Sequence, residues 1–89
     1  MGHELFDVID FSIVEPFKIK VTLEKYRTKE HIKKVVDLKP FLYGELFEPL
    51  NNPDFFAKVT LNKEYANLVW PNDADFDPAF YYEEGQDCV

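Results

Sequence analysis

The stretch Leu68-Val69-Trp70-Pro71-Asn72-Asp73-Ala74-Asp75-Phe76-Asp77-Pro78 constrains this chain more than any other part of it. It holds the only Trp, two of the six Pro and three Asp at alternate positions. Pro71 lacks the backbone donor that a sheet ladder needs, so a strand through Leu68 and Trp70 stops there. Asn72 and Asp73 form turns readily, and Asp77-Pro78 is a cap followed by Pro at the first helical position. A strand end, a turn and a helix start are thus written side by side, which marks a fold more than a chemistry.

Upstream, residues 17 to 24 alternate. Phe17, Ile19, Val21 and Leu23 share one face, and Lys18, Lys20, Thr22 and Glu24 the other, as in a strand buried on one side. Phe6 to Val14 is apolar with a phase change that predicts a bulge, and Glu15-Pro16 turns the chain. Ile32, Val36 and Leu38 place a third strand at 31–38, with Val35 out of phase. These segments read as an antiparallel meander. The 27–30 turn has neither Gly nor Asn.

Beyond Lys39 the texture becomes helical. Pro40 opens a short helix that Gly44 stops, and Leu46 to Leu50 is an apolar turn. Asn52 caps a helix that starts at Pro53 and carries Phe55 and Phe56. Val59 and Leu61 begin a fourth strand, Leu68 and Trp70 form a fifth, and a last helix carries Phe80 with Tyr81 or Tyr82. After Glu83 the tail is expected to be loose. The expected fold is α+β, one domain over 1–89. It is an antiparallel sheet of about five strands, an N-terminal three-stranded meander plus a later pair, with two or three short helices packed on it.

The run Val36-Asp37-Leu38-Lys39-Pro40-Phe41-Leu42, then Leu46-Phe47-Glu48-Pro49-Leu50, Asn52-Pro53-Asp54-Phe55-Phe56 and Val59, then Trp70-Pro71-Asn72 with Ala74-Asp75 and Pro78, resembles the small bacterial family of domain of unknown function 2442. The resemblance spans about residues 8 to 83. It implies a small α+β domain without an assigned activity, paired with a second small protein in an arrangement similar to a toxin–antitoxin pair. Some relatives carry a helix-turn-helix domain after this one, which this chain stops short of. Two departures stand out. Asp73 replaces a common Gly, and the 27–30 turn lacks the Gly that the family's hairpin contains. Asp tolerates the left-handed conformation better than most residues.

Little in the chain points to catalysis. Asp73, Asp75 and Asp77 have the spacing of the first ligands of an EF-hand loop, with Glu84 at the twelfth position. The sixth position, which must be Gly, is Pro78, so a capped turn is the better reading. His3 and His31 form no ligand pair, and Cys88 stands alone, which rules out an intrachain disulfide. Gly2, Gly44 and Gly85 make no phosphate loop. No metal, cofactor or catalytic residue is expected, and neither is a membrane span or a secretion leader, so a cytoplasmic protein is the default.

The net charge of −7 is unevenly spread. Residues 18 to 39 hold eight bases and three acids, a net +5, whereas the rest holds fourteen acids and two bases, a net −12. Lys18, Lys20, Lys33 and Lys34 could form a positive ribbon on the hairpin, for phosphates or an acidic partner. The plain alternative is a solvated face with lysines that discourage aggregation. Aromatics make up 17% of the chain, nine of them Phe, which suggests that some lie in an interface. The candidates are Phe55, Phe56, Tyr81 and Tyr82, with core packing as the default for most. The first functional reading is therefore a non-enzymatic interaction or regulatory module, the antitoxin-like half of a two-protein system, binding a small basic protein. The alternative is nucleic-acid binding through the basic hairpin, and self-association is left open.

Overall fold

The alternating segment becomes the second strand of a four-stranded sheet in the computed structural model, which describes residues 5–87. β1 (Phe6–Glu15), β2 (Lys18–Lys25) and β3 (His31–Asp37) form the antiparallel meander. The β1–β2 register shifts between Val8 and Asp10, where the phase change predicts a bulge, and again between Ile13 and Glu15. Ile19, Val21, Leu23 and Val36 are buried on one face of the sheet.

Phe17 is a correction to the strand's start. Glu15 pairs with Lys18, so Pro16 and Phe17 are the whole connection, and Phe17 takes a left-handed φ of 72°. Contacts offset that strain. Its carbonyl accepts from the Leu38 amide at 2.7 Å, and its ring meets Phe56 edge-on at 5.5 Å.

A 3-10 turn at Lys39–Phe41 holds Pro40 in its first positions. Gly44, expected to stop a helix, instead begins α1 (Gly44–Phe47), with φ 86° at the break, and a 3-10 turn follows at Glu48–Asn51. The apolar turn of the sequence is thus helical. α2 (Pro53–Phe56) starts on Pro53 as its cap predicts, with Asn52 Oδ1 accepting from the amides of Asp54 (2.9 Å) and Phe55 (3.4 Å).

The later pair, β4 (Thr60–Asn62) and β5 (Asn67–Val69), forms its own two-stranded sheet. α3 (Pro78–Glu84) begins after Asp77, whose Oδ1 accepts from the Ala79 amide at 2.8 Å. The tail is ordered through β6 (Gln86–Asp87), which pairs with β3 at Lys34 and Val35 and completes the order β1-β2-β3-β6. The molecule is α+β as expected, with its antiparallel strands divided between two sheets and short helices around them.

The signature stretch ties the halves together. Trp70 is buried, and its indole nitrogen donates to the Phe56 carbonyl at 2.9 Å. Asp73 N donates to Trp70 O and Trp70 N to Ala74 O, closing a turn in which Asp73 has φ 68°. Asn72 accepts from Ala74 N through Oδ1 and donates through Nδ2 to Leu46 O. Lys29, in the 27–30 turn, is also left-handed (φ 62°). Phe76 sits at the centre of an aromatic cluster, stacked on Phe47 (4.6 Å) and Phe80 (4.7 Å) and edge-on to Trp70. Much of the aromatic surplus is therefore core. No helix among the described residues is long and apolar enough to cross a membrane.

Candidate functional site

Strand alternation decides which lysines share a surface. Lys18, Lys20 and Lys33 lie on the sheet face opposite the core, because their neighbours Ile19, Val21 and Ile32 point inward. Lys34 follows Lys33 directly and faces the other way. Its ammonium lies 2.6 Å from Asp87 Oδ1 and 4.9 Å from the Tyr82 ring centroid, with the side chain only 12% exposed. The four-lysine ribbon is corrected to three lysines, interleaved with acids. Lys18 sits between Glu15 and Asp37 in the register, 3.5 Å from the Glu15 carboxylate, and Lys33 lies across Thr22 from Asp10.

The expected aromatic patch is also divided. Phe56 and Tyr81 are buried, because the short α2 and α3 each turn one ring into the core. Phe55 is half-buried against the same core. Tyr82 is partly exposed and stacks on Phe6 at 4.6 Å. Of the signature residues, Pro53 and Pro78 start helices, Pro40 and Pro71 shape turns, and Asp75 is exposed.

A different apolar surface emerges at α1. Tyr43 precedes the helix and is 72% exposed, and Leu46, three residues on, is 44% exposed. Tyr43 has extended backbone at the cap and Leu46 lies within the helix, and Glu45 and Glu48 beside them are exposed as well. Pro40, Gly44 and Pro49 are the signal for this in the sequence. They interrupt the chain so often that no helix is long enough to turn both side chains inward.

The second half of the chain exposes many acids, while Lys39, bonded to Asn51 beside Glu48, lies next to α1. Glu45, Glu48, Asp54, Glu64, Asp73, Asp75, Asp77, Glu83, Glu84 and Asp87 are all exposed between residues 40 and 87, against Lys58 and Lys63. A groove of about 570 Å³ runs between the β4–β5 hairpin and the 71–75 turn, lined by Lys58, Thr60, Tyr65, Trp70, Asp73 and Asp75 among others. It brings together two carboxylates, a lysine and the hydroxyl-bearing side chains of Thr60 and Tyr65. Asn67, which also lines it, is buried and donates to Phe76 O at 2.7 Å. Burial, and then the Asp75 carboxylate, push the Tyr81 hydroxyl far above its ordinary pKa and keep it neutral.

Among the described residues no three His, Cys, Asp or Glu side chains converge as metal ligands do. Asp77 is occupied as a helix cap, and His31 lies 3.1 Å from Glu24 at the sheet surface. Cys88 and His3 lie outside the described residues. The profile of the family described as Protein of unknown function (DUF2442) matches residues 8–86. Among curated proteins and among solved structures, nothing matches the chain.

Proposed function

The chain belongs to the DUF2442 family, and from that premise we propose that it is a non-enzymatic interaction module whose acidic helical half binds a small basic protein. In this reading it is the regulatory, antitoxin-like member of a two-protein bacterial system and works in the cytoplasm. The supporting observation is the pairing of exposed Tyr43 and Leu46 with Glu45 and Glu48, inside a surface where carboxylates far outnumber lysines. An aromatic and an aliphatic anchor flanked by Glu45 and Glu48 suits a partner with an apolar contact and basic side chains beside it. Opposite charge speeds encounter and disfavours acidic competitors.

Nucleic-acid binding through the hairpin is the weaker reading. Phosphate tracking needs a continuous positive footprint, and Lys18, Lys20 and Lys33 alternate with Asp10, Glu15 and Asp37. The test is recovery of the tagged full chain from its native lysate at low salt, divided between nuclease-treated and untreated samples. One small basic protein is expected in both. Material lost on nuclease treatment would favour the hairpin, and an empty recovery in both would contradict the module.

A further inference from the structure

We propose that the groove between the β4–β5 hairpin and the 71–75 turn takes an arginine side chain and, resting on the interaction-module reading, that the basic partner presents it. Strand alternation builds the floor. Thr60 pairs with Val69 and Asn62 with Asn67, so these four residues line the groove from one face of the hairpin. The turn supplies the facing wall, with the exposed carboxylates of Asp73 and Asp75. Both sides are anchored. Ala66 O accepts from Val8 N at 2.8 Å, which ties the hairpin to β1, and Trp70 N donates to Ala74 O at 3.0 Å across the base of the turn. The groove is thus shaped before a ligand arrives, which lowers the cost of ordering on binding.

Its polar groups call for N–H donors. Asn67 is only 9% exposed, its Nδ2 is occupied by Phe76 O, and its Oδ1 has no partner among the described residues. An unmatched buried carbonyl is costly, so a donor brought to it stabilises the complex. The ion pairs among the described residues are Lys18–Glu15, His31–Glu24 and Lys34–Asp87, which leaves Asp73, Asp75 and Lys58 without one. A guanidinium carries its donors in a planar fork that matches a carboxylate in bidentate fashion. Its flat face also stacks on an aromatic ring. Tyr65 offers such a ring at the groove, 74% exposed and fixed by Asn62 Oδ1, which accepts from its amide at 3.1 Å.

Lys58 selects an arginine within a peptide over a simple cation. Its ammonium lines the same groove and repels a metal ion or a polyamine, whereas an arginine residue brings a main-chain carbonyl that accepts from it. At about 570 Å³ the groove has room for the side chain and the adjoining main chain. Its position suits the same partner. Asn72 stands between Pro71 and Asp73 in the wall and donates through Nδ2 to Leu46 O at 2.9 Å, so the groove and α1 flank one turn. A protein seated on Tyr43 and Leu46 has the groove within reach.

The test is an NMR titration of the isotope-labelled full chain at low salt. The probe is acetyl-arginine-methylamide, raised to about 20 mM, enough to fill most of a site with a millimolar Kd. Saturable shifts are expected at the Asn67 side-chain amide and at the backbone amides of Val69, Asp73 and Asp75. The citrulline analogue, which keeps the shape without the charge, is expected to bind about tenfold more weakly or worse. Asp73→Asn with Asp75→Asn is expected to weaken the arginine probe about as much, and Asn suits the left-handed position 73. No saturable shift, equal binding of the citrulline analogue, or unchanged binding by the double variant would overturn the groove as an arginine site. In nuclease-treated native lysate the double variant is expected to retain less of the small basic protein than the parent. A protein retained by a chain that ignores the probe would leave the module standing and remove the groove. A chain that binds the probe but retains no protein would contradict the partner as the source of the arginine.

Discussion

Tyr81 carries a hydroxyl into the core, where it finds no partner among the described residues. An unpaired buried hydroxyl costs on the order of 1–3 kcal/mol. Tyr81→Phe keeps the ring contacts with Phe76 and Phe80 and removes that cost, so the melting temperature is expected to rise by several degrees. The pH dependence follows from the same burial. Unfolded, a tyrosine titrates near about 10. Above that pH the unfolded chain has lost a proton that the folded chain keeps, so stability declines as pH rises. Urea midpoints above about pH 10 are expected to fall more steeply in the parent than in Tyr81→Phe. Lys29 and Asp73 present a second kind of cost, a left-handed backbone on residues with a Cβ. Lys29→Gly and Asp73→Gly are each expected to stabilise by about 1 kcal/mol, read as a higher thermal midpoint. Asn72-Asp73 marked its turn in the sequence, whereas the 27–30 turn, with neither Gly nor Asn, gave no signal of its type. The sequence could not reveal the left-handed Phe17, whose strain is offset by contacts with Leu38 and Phe56 that are distant in sequence.

Elements whose signal is local were the readable ones. The period-two run of β2 and the caps Asn52 and Asp77 each depend on neighbours within a few residues; the caps form where the residues predict, and β2 does so from Lys18 on. β6 has no such signal. Two residues carry no periodicity, and their pairing depends on Gly85 letting the chain pass close to β3. A Cβ on Gly85 would lie 2.5 Å from Tyr81 O and 2.8 Å from Lys34 Cβ. Gly85→Ala is therefore expected to cost about 1–3 kcal/mol. It should also detach β6 with the Lys34–Asp87 ion pair, seen as faster hydrogen exchange at the Gln86 and Asp87 amides. An unchanged melting temperature with protected amides would show that the tail tolerates the crowding. Helix faces were unreadable for a related reason. α2 and α3 have four and seven residues, too few turns for spacing to show that Phe56 and Tyr81 point inward.

Across the whole molecule, charge and apolar exposure are distributed by topology. The meander places its lysines and acids in alternation on one open sheet face, so a basic stretch of sequence does not become a basic surface. The helical half keeps most of its carboxylates exposed, with Glu45 and Glu48 beside Tyr43 and Leu46. Steering by such a surface weakens with ionic strength, as screening shortens to about 8 Å at physiological salt. Association with a basic partner is thus expected to slow as salt rises, while the apolar contact sustains the bound state. The most direct test compares the tagged parent chain with a Tyr43→Ala, Glu45→Lys, Glu48→Lys variant, both incubated in nuclease-treated native lysate and read by mass spectrometry. Thermal unfolding checks that the variant is folded. One small basic protein is expected to be retained by the parent and lost from the folded variant. Equal retention by both, or none by the parent, would contradict the interaction module.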